Sequence, residues 1–244
     1  MAIEQFAPLF PRGEHPFSLG RHLLHDDASR NYDARMVASL RKPRSVVHES
    51  AVPPWDQGQI GQCTAEAALG LLMTEPFHRP EWNFNGTGAA SDTLEFYREE
   101  TRLDDGYIPG SYEPDDTGST GLWSMKVLKN RKIAASYHHV FSWPVLQSVL
   151  SDHPVSIGIA WFGSMFYPDR HGVVTFDGSV DEPIGGHQIC VVGQDLKQEE
   201  LIFRNSWGTG WGKDGYGRLT FAKAKELLFT YRGDVTYPIL VGEV

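Results

Sequence analysis

Cysteine is nearly missing: Cys63 and Cys190 are the only two in 244 residues. At most one disulfide can form, so the chain stands apart from small secreted scaffolds held by covalent staples. Long apolar runs are also missing. None approaches the ~18 residues a membrane-spanning helix needs, and MAIEQFAPLFPRGEHPFSLG has no basic stretch leading into an apolar one. The expected setting is intracellular, with no membrane partner. Positive charge is in deficit: 22 Lys and Arg against 31 Asp and Glu give a formal net charge of −9. That balance argues against nucleic acid as a partner, because phosphate binding draws on clustered cations. The one dense basic patch, RKPRS at residues 41–45, reads as a solvated linker.

What is present is ordinary globular composition, 41% hydrophobic and 22% charged, in a length that suits two small lobes packed around a cleft. Residues 1–50 are rich in Pro, Arg, His and Asp and read as an extension of unknown role, with one modestly helical stretch, ASRNYDARMVASL. Ala65, Ala68, Leu69 and Leu72 fall at helical spacing, and Pro76 ends the pattern. SDTLEFYREETRL predicts a second helix, with Ser91 as cap and Leu94 and Tyr97 on one face. After the turn-rich acidic loop DDGYIPGSYEPDDTGSTG, LWSMKVLKNRK predicts a third. Beyond Ile133, PVSIGIAWF, GVVTF, HQICVVGQD, ELIFRNSW and YGRLTF are short β-rich runs between Gly, Asp and Pro. Helices first and strands second predict an α+β fold: a helical lobe over 51–140 and an antiparallel sheet or barrel over 141–244.

The candidate chemistry starts at DQGQIGQCTAEAALG, where Cys63 opens the first helix. A thiolate attacks carbonyls and a thiol does not, so a nucleophilic cysteine needs a cationic or dipolar neighbour. The helix N-terminus supplies a part, typically ~0.3–1 kcal/mol, and an imidazolium supplies more. In PIGGHQICVVGQD, His187 stands at the start of a β-rich run after two glycines. In LIFRNSWGTGWGKDGYGRL, Asn205 ends a strand; its amide can orient the far nitrogen of the imidazole without adding charge, and Trp207 can shield that bond from water.

Gln57 with Cys63, then GGHQICVVG, then NSWGTGWGKDGYGRL, resemble the papain-like cysteine peptidases over roughly residues 50–240. The run from Asn205 through Gly217 is the most specific of these motifs, and the order Cys, His, Asn agrees as well. The resemblance implies a two-lobed papain-like fold with the site in the cleft. Cys63 would be the nucleophile, His187 the base and then the acid, Asn205 the orienting residue, and Gln57, with the Cys63 backbone N–H, the oxyanion donor. It further implies that Ser119, Thr120 and Gly121 form the strip pairing with substrate backbone, and that Gly158, Gly186 and Trp207 line the cleft, Gly158 leaving room for a bulky apolar group. Ile60 stands where the family usually has cysteine and Thr64 where it has tryptophan, and Gln62 replaces a small residue. Those departures resemble the disulfide-poor bacterial and bacteriophage-type members, which adds a virion-associated setting to the cytoplasmic one.

The implied activity is peptide-bond hydrolysis through an acyl-enzyme, by a monomer acting on peptide or protein substrates, without cofactor or metal. An acyl transferase or peptide ligase with the same triad, and a catalytically degenerate binding or structural protein of the same fold, are the alternatives. Cys190 reads as a buried hydrophobe and Trp211 as a core aromatic. His138 and His139 are adjacent and point to opposite faces of a strand, which makes them poor joint metal ligands. Asp104, Asp105, Asp115 and Asp116 miss the calcium-loop spacing and read as a solvated loop. A long charged prodomain helix is missing upstream, so the enzyme is expected either to be made active or to carry FSLGRHLLHDDASRNY across its cleft as a short plug.

Overall fold

A computed structural model describes residues 16–23, 27–36, 41–88, 90–104 and 106–242 of the chain. The first lobe contains α1 (Cys63–Leu72), α2 (Asp92–Asp104) and α3 (Gly121–Asn130). All ten residues of α1 are buried, as a helix apolar on nearly every face must be. α2 takes its cap from Ser91, whose Oγ accepts the Leu94 N–H at 3.2 Å, and α3 takes its cap from Thr120.

Among the described residues the strands form one antiparallel sheet in the order β2 (Ala134–His139), β7 (Asp234–Leu240), β3 (Val155–Phe162), β4 (Pro183–Asp195), β5 (Glu200–Arg204) and β6 (Tyr216–Thr220), with the short β1 (Val46–Val47) beside β4. β4 explains why ICVV is apolar without interruption. Ile189 and Val191 enter the core of the sheet lobe, whereas Cys190 and Val192 enter the core around α1. A strand covered on both faces has no polar side to alternate. β5 repeats the device, with Leu201 and Phe203 on one side and Ile202 on the other. Cys190 is therefore the packed filler expected, and both cysteines are unpaired and buried.

Several elements differ from the sequence reading. ASRNYDARMVASL resolves into two short 3-10 turns, Asp27–Tyr32 and Ala34–Met36, because the Asp33 carboxylate takes the Arg35 N–H and guanidinium and so interrupts the helix; residues 37–40 lie outside the described residues. GVVTF is a loop with one bridge at Val173, not a strand. Val174 and Phe176 are apolar because they fill the core. β2 lies inside the segment assigned to the helical lobe, and α4 (Trp143–Leu150) interrupts the region read as β. The acidic loop is not simply solvated. Asp104 is fully buried and accepts the Ser119 hydroxyl at 2.8 Å; Asp116 accepts the Tyr97 hydroxyl at 2.7 Å and the Gly61 N–H at 3.1 Å. Asp105 lies outside the described residues.

Glu100 is buried behind α1, accepting the Thr64 and Ser124 hydroxyls at 2.6 Å each. Burial pushes its carboxyl up to about 8 from an ordinary 4.5. The folded protein therefore holds a proton that the unfolded chain releases. The stability this proton contributes is complete below about pH 4.5 and is lost as the pH rises to about 8. Glu100→Gln, which cannot ionise, is expected to be more stable than the parent by on the order of 2 kcal/mol at pH 9, with the gap closing toward pH 5. Urea midpoints measured across that range check it; a gap that is constant with pH would refute it.

Candidate active site

Cys63 is the first residue of α1, where unpaired N–H groups of the first turn face the thiol. The loop before it is fixed from outside by the bonds from Asp116 to Gly61 N–H. His187 sits on β4 opposite Ile159 of β3. Asn205 follows β5, its N–H bonded to Gly215 O at 3.1 Å, at a turn where Gly208, Gly212 and Gly215 all adopt positive φ. That requirement accounts for the glycine pattern after Trp207. The same turn is stitched to the segment carrying Gln57: Gln57 N–H donates to Ser206 O at 2.9 Å and Gly208 N–H to Trp55 O at 2.8 Å.

His187 Nε2 lies 2.7 Å from Asn205 Oδ1, which also accepts the Ser206 N–H at 2.9 Å. An amide oxygen only accepts, so Nε2 carries the proton and the lone pair is left on Nδ1. Nδ1 has no hydrogen-bond partner among the described residues. Trp207 stacks on the imidazole at 4.5 Å and Trp161 meets it edge-on at 4.9 Å, so the His–Asn bond is closed off from water. The Cys63 thiol accepts the backbone N–H of Gln188, the residue after His187. Trp211 is a core aromatic, its indole N–H bonded to Phe166 O at 3.0 Å.

The pair is neutral as it stands. Burial pushes the Cys63 thiol up to about 12 and the His187 imidazole down to about 4, since both charged forms lose water. The cause of the burial is visible. Residues 17–22 cross the cleft, with Phe17 stacked on Trp207 at 4.6 Å. Ser18 O accepts from Trp207 Nε1 at 3.3 Å and from Gln57 Nε2 at 3.4 Å. Gly20 N–H bonds the thiol, and Gly20 O is held by Ser119 N–H at 2.8 Å. Arg21 N–H reaches Gly186 O at 3.0 Å and His22 N–H reaches Ser119 O at 2.7 Å, a parallel pairing. Gly20 thus offers the sulfur an amide N–H, while its carbonyl is bonded elsewhere.

Of the residues assigned to substrate contact, Ser119 and Gly186 meet the backbone of this crossing segment, and Trp207 meets its Ser18 carbonyl. The Thr120 side chain instead caps α3. Gly121 and Gly158 border the space that holds the Arg21 side chain. That space contains no apolar group of the kind Gly158 suggested, but a guanidinium paired with Asp234. Sequence reasoning missed Asp234; nothing local marks it. It also missed Arg204, buried between the lobes, which donates to Val52 O at 2.6 Å and Pro53 O at 2.8 Å and lies 4.6 Å from the Trp55 ring. A separate cavity of about 440 Å³, lined in part by His139, Phe141, Phe229 and Arg232, shares Asp234 in its wall but not Cys63, His187 or Asn205.

The description "Papain family cysteine protease" matches residues 87–232, more than half of the chain, including His187 and Asn205. Cysteine proteinase RD21A of Arabidopsis thaliana is 33% identical over 210 residues, covering 78% of this chain and 45% of its own length. Cathepsin K of Gallus gallus is 27% identical over 248 residues, covering 84% and 72%. The chain thus spans less than half of the Arabidopsis protein. Among solved structures, xylellain, a cysteine protease from Xylella fastidiosa, superposes with a TM-score of 0.66 at 19% identity, covering 96% of this chain and all of its own. The fold is the papain-like two-lobed α+β architecture, and the chain belongs to the papain family of cysteine proteases.

Proposed function

We propose that the protein is a thiol peptidase that hydrolyses peptide bonds through an acyl-enzyme on Cys63, and that residues 17–22 hold it closed until they leave the cleft. The observation that carries this reading is an imidazole whose Nε2 is tied to Asn205 and whose Nδ1 is unpartnered among the described residues, on the residue before Gln188, whose N–H bonds the thiol at the start of α1. With the cleft open, Nδ1 takes the thiol proton and Sγ attacks the substrate carbonyl carbon. The oxyanion forms against the Cys63 N–H and Gln57 Nε2. Collapse of the tetrahedral centre breaks the C–N bond, and the imidazolium returns its proton to the leaving amine. Water, deprotonated by the same Nδ1, then cleaves the thioester and releases the acid.

The oxyanion assignment of Gln57 is supported by its neighbours. Ser206 donates to Oε1 and fixes the amide, while Nε2 faces the cleft within 3.4 Å of a backbone carbonyl of the crossing segment. The test is peptide hydrolysis by the full-length chain opened with Gly20→Val, a change whose Cβ collides with the Gly61 carbonyl. In that background Gln57→Ala is expected to lower kcat by ~10²–10³ with little change in KM. Loss carried entirely by KM would remove Gln57 from the oxyanion role, and absence of any hydrolysis in the opened parent would overturn the peptidase reading.

A further inference from the structure

The Arg21 side chain lies in a pocket formed by three strands in register. Gly158 of β3 pairs with Gln188 on β4 and with Asp234 on β7, so two polar side chains flank a position without one. The missing side chain is what makes the hollow. A Cβ at 158 would collide with Arg21 Nε and would lie 2.5 Å from Asp234 Oδ1 and 2.7 Å from Gln188 Oε1. A Cβ on Gly121, at the start of α3, would lie 3.2 Å from Asp234 Oδ2, so the other carboxylate oxygen borders the same space.

The lining of this pocket accepts hydrogen bonds. Asp234 takes the Arg21 guanidinium in an ion pair whose side chains are 3% and 13% exposed. Gln188 Nε2 gives one of its two hydrogens to Ser156 Oγ at 2.8 Å. That leaves Gln188 Oε1, buried on a residue 1% exposed, with no partner among the described residues. A part-buried carboxylate and a buried unsatisfied carbonyl at one hollow disfavour an apolar or anionic occupant, which would leave both unpaired. A planar guanidinium carries donors enough for both, although the Arg21 side chain bonds Asp234 and leaves its own Nε, like Gln188 Oε1, without a partner among the described residues; an ammonium offers fewer donors in fixed directions. The pocket also opens beside the thiol, because Arg21 follows the residue whose N–H bonds Cys63 Sγ.

We propose that Asp234 and Gln188 form a cation-selective side-chain pocket, so that the opened enzyme cleaves polypeptides carrying arginine, and next lysine, within two residues of the scissile bond. Arg21 is the chain's own occupant of that pocket and competes with a substrate for it. The proposal rests on the thiol-peptidase reading, and its test separates the two.

The protein is the full-length Gly20→Val/Arg21→Ala chain, which frees cleft and pocket together. Peptides identical except for arginine, its neutral isostere citrulline, leucine or glutamate at the tested position are compared by kcat/KM. Their binding is measured in the same chain with Cys63→Ala. Arginine is expected to exceed citrulline by roughly 30-fold or more in both readouts. Asp234→Asn should bring the ratio to within about threefold of one, and Asp234→Glu should keep most of it. Because each ratio is taken within one variant, partial loss of folded protein cancels. A ratio near one in the opened parent, or one that Asp234→Asn leaves unmoved, overturns the proposal while hydrolysis itself upholds the peptidase reading. Arginine-selective binding without hydrolysis upholds the pocket and overturns that reading. Neither hydrolysis nor selective binding overturns both.

Discussion

Gly20→Val in the full-length chain is expected to speed alkylation of Cys63 by iodoacetamide at pH 6 by at least ~10³-fold. In the closed protein the thiol is pushed up to about 12 by burial, so at neutral pH the reactive thiolate is on the order of 10⁻⁵ of the total. Its labelling should climb about tenfold per pH unit through pH 9. Moving residues 17–22 aside returns water to both partners, which lowers the thiol and raises the His187 imidazole from about 4. The pair can then exist as thiolate and imidazolium, with labelling nearly flat from about pH 5 to 9. Intact-mass kinetics on the parent and Gly20→Val chains decide it. Equal rates at every pH would mean that the crossing segment does not control access. A deletion ending at residue 23 is a cleaner cut than one ending at residue 45. The longer one also removes Tyr32, stacked on Tyr137 at 5.0 Å, and Arg44, whose N–H bonds Ser151 Oγ at 3.1 Å.

In the same opened chain, Cys63→Ala is expected to lower peptide hydrolysis by ~10⁴-fold or more, and His187→Ala by a similar factor. The two losses should not add, because an unactivated thiol and a missing one leave the same residual rate from binding and the oxyanion donors. Steady-state rates of both single variants and the double variant check this. A double variant slower than either single by the product of their effects would mean that thiol and imidazole act independently, which the acyl-enzyme scheme does not allow.

The three positions proposed for the triad were legible as candidates because each sits in a local pattern: a helix opening at Cys63, a glycine-flanked strand entry at His187, a glycine-rich turn after Asn205. Contacts between distant segments left no such pattern. Arg21 and Asp234 are 213 residues apart, and neither an arginine in a polar extension nor an aspartate at a strand start announces the other. GVVTF misled because alternation of apolar residues reports burial, and Val174 and Phe176 reach the core from a loop. β2 was met only as a setting for His138 and His139, not as an element of the sheet. Ala, Ser and His in AASYHH are weak strand formers, and the element exists through its pairing with β7.

β4 contributes alternate residues to both hydrophobic cores and carries His187 between them. The two lobes are consequently one mechanical body. Swinging them apart would pull one strand from two interiors. The position of the imidazole is thereby tied to both interiors at once. On the proposed reading, admission of a substrate is a matter of moving about six residues of backbone out of the cleft.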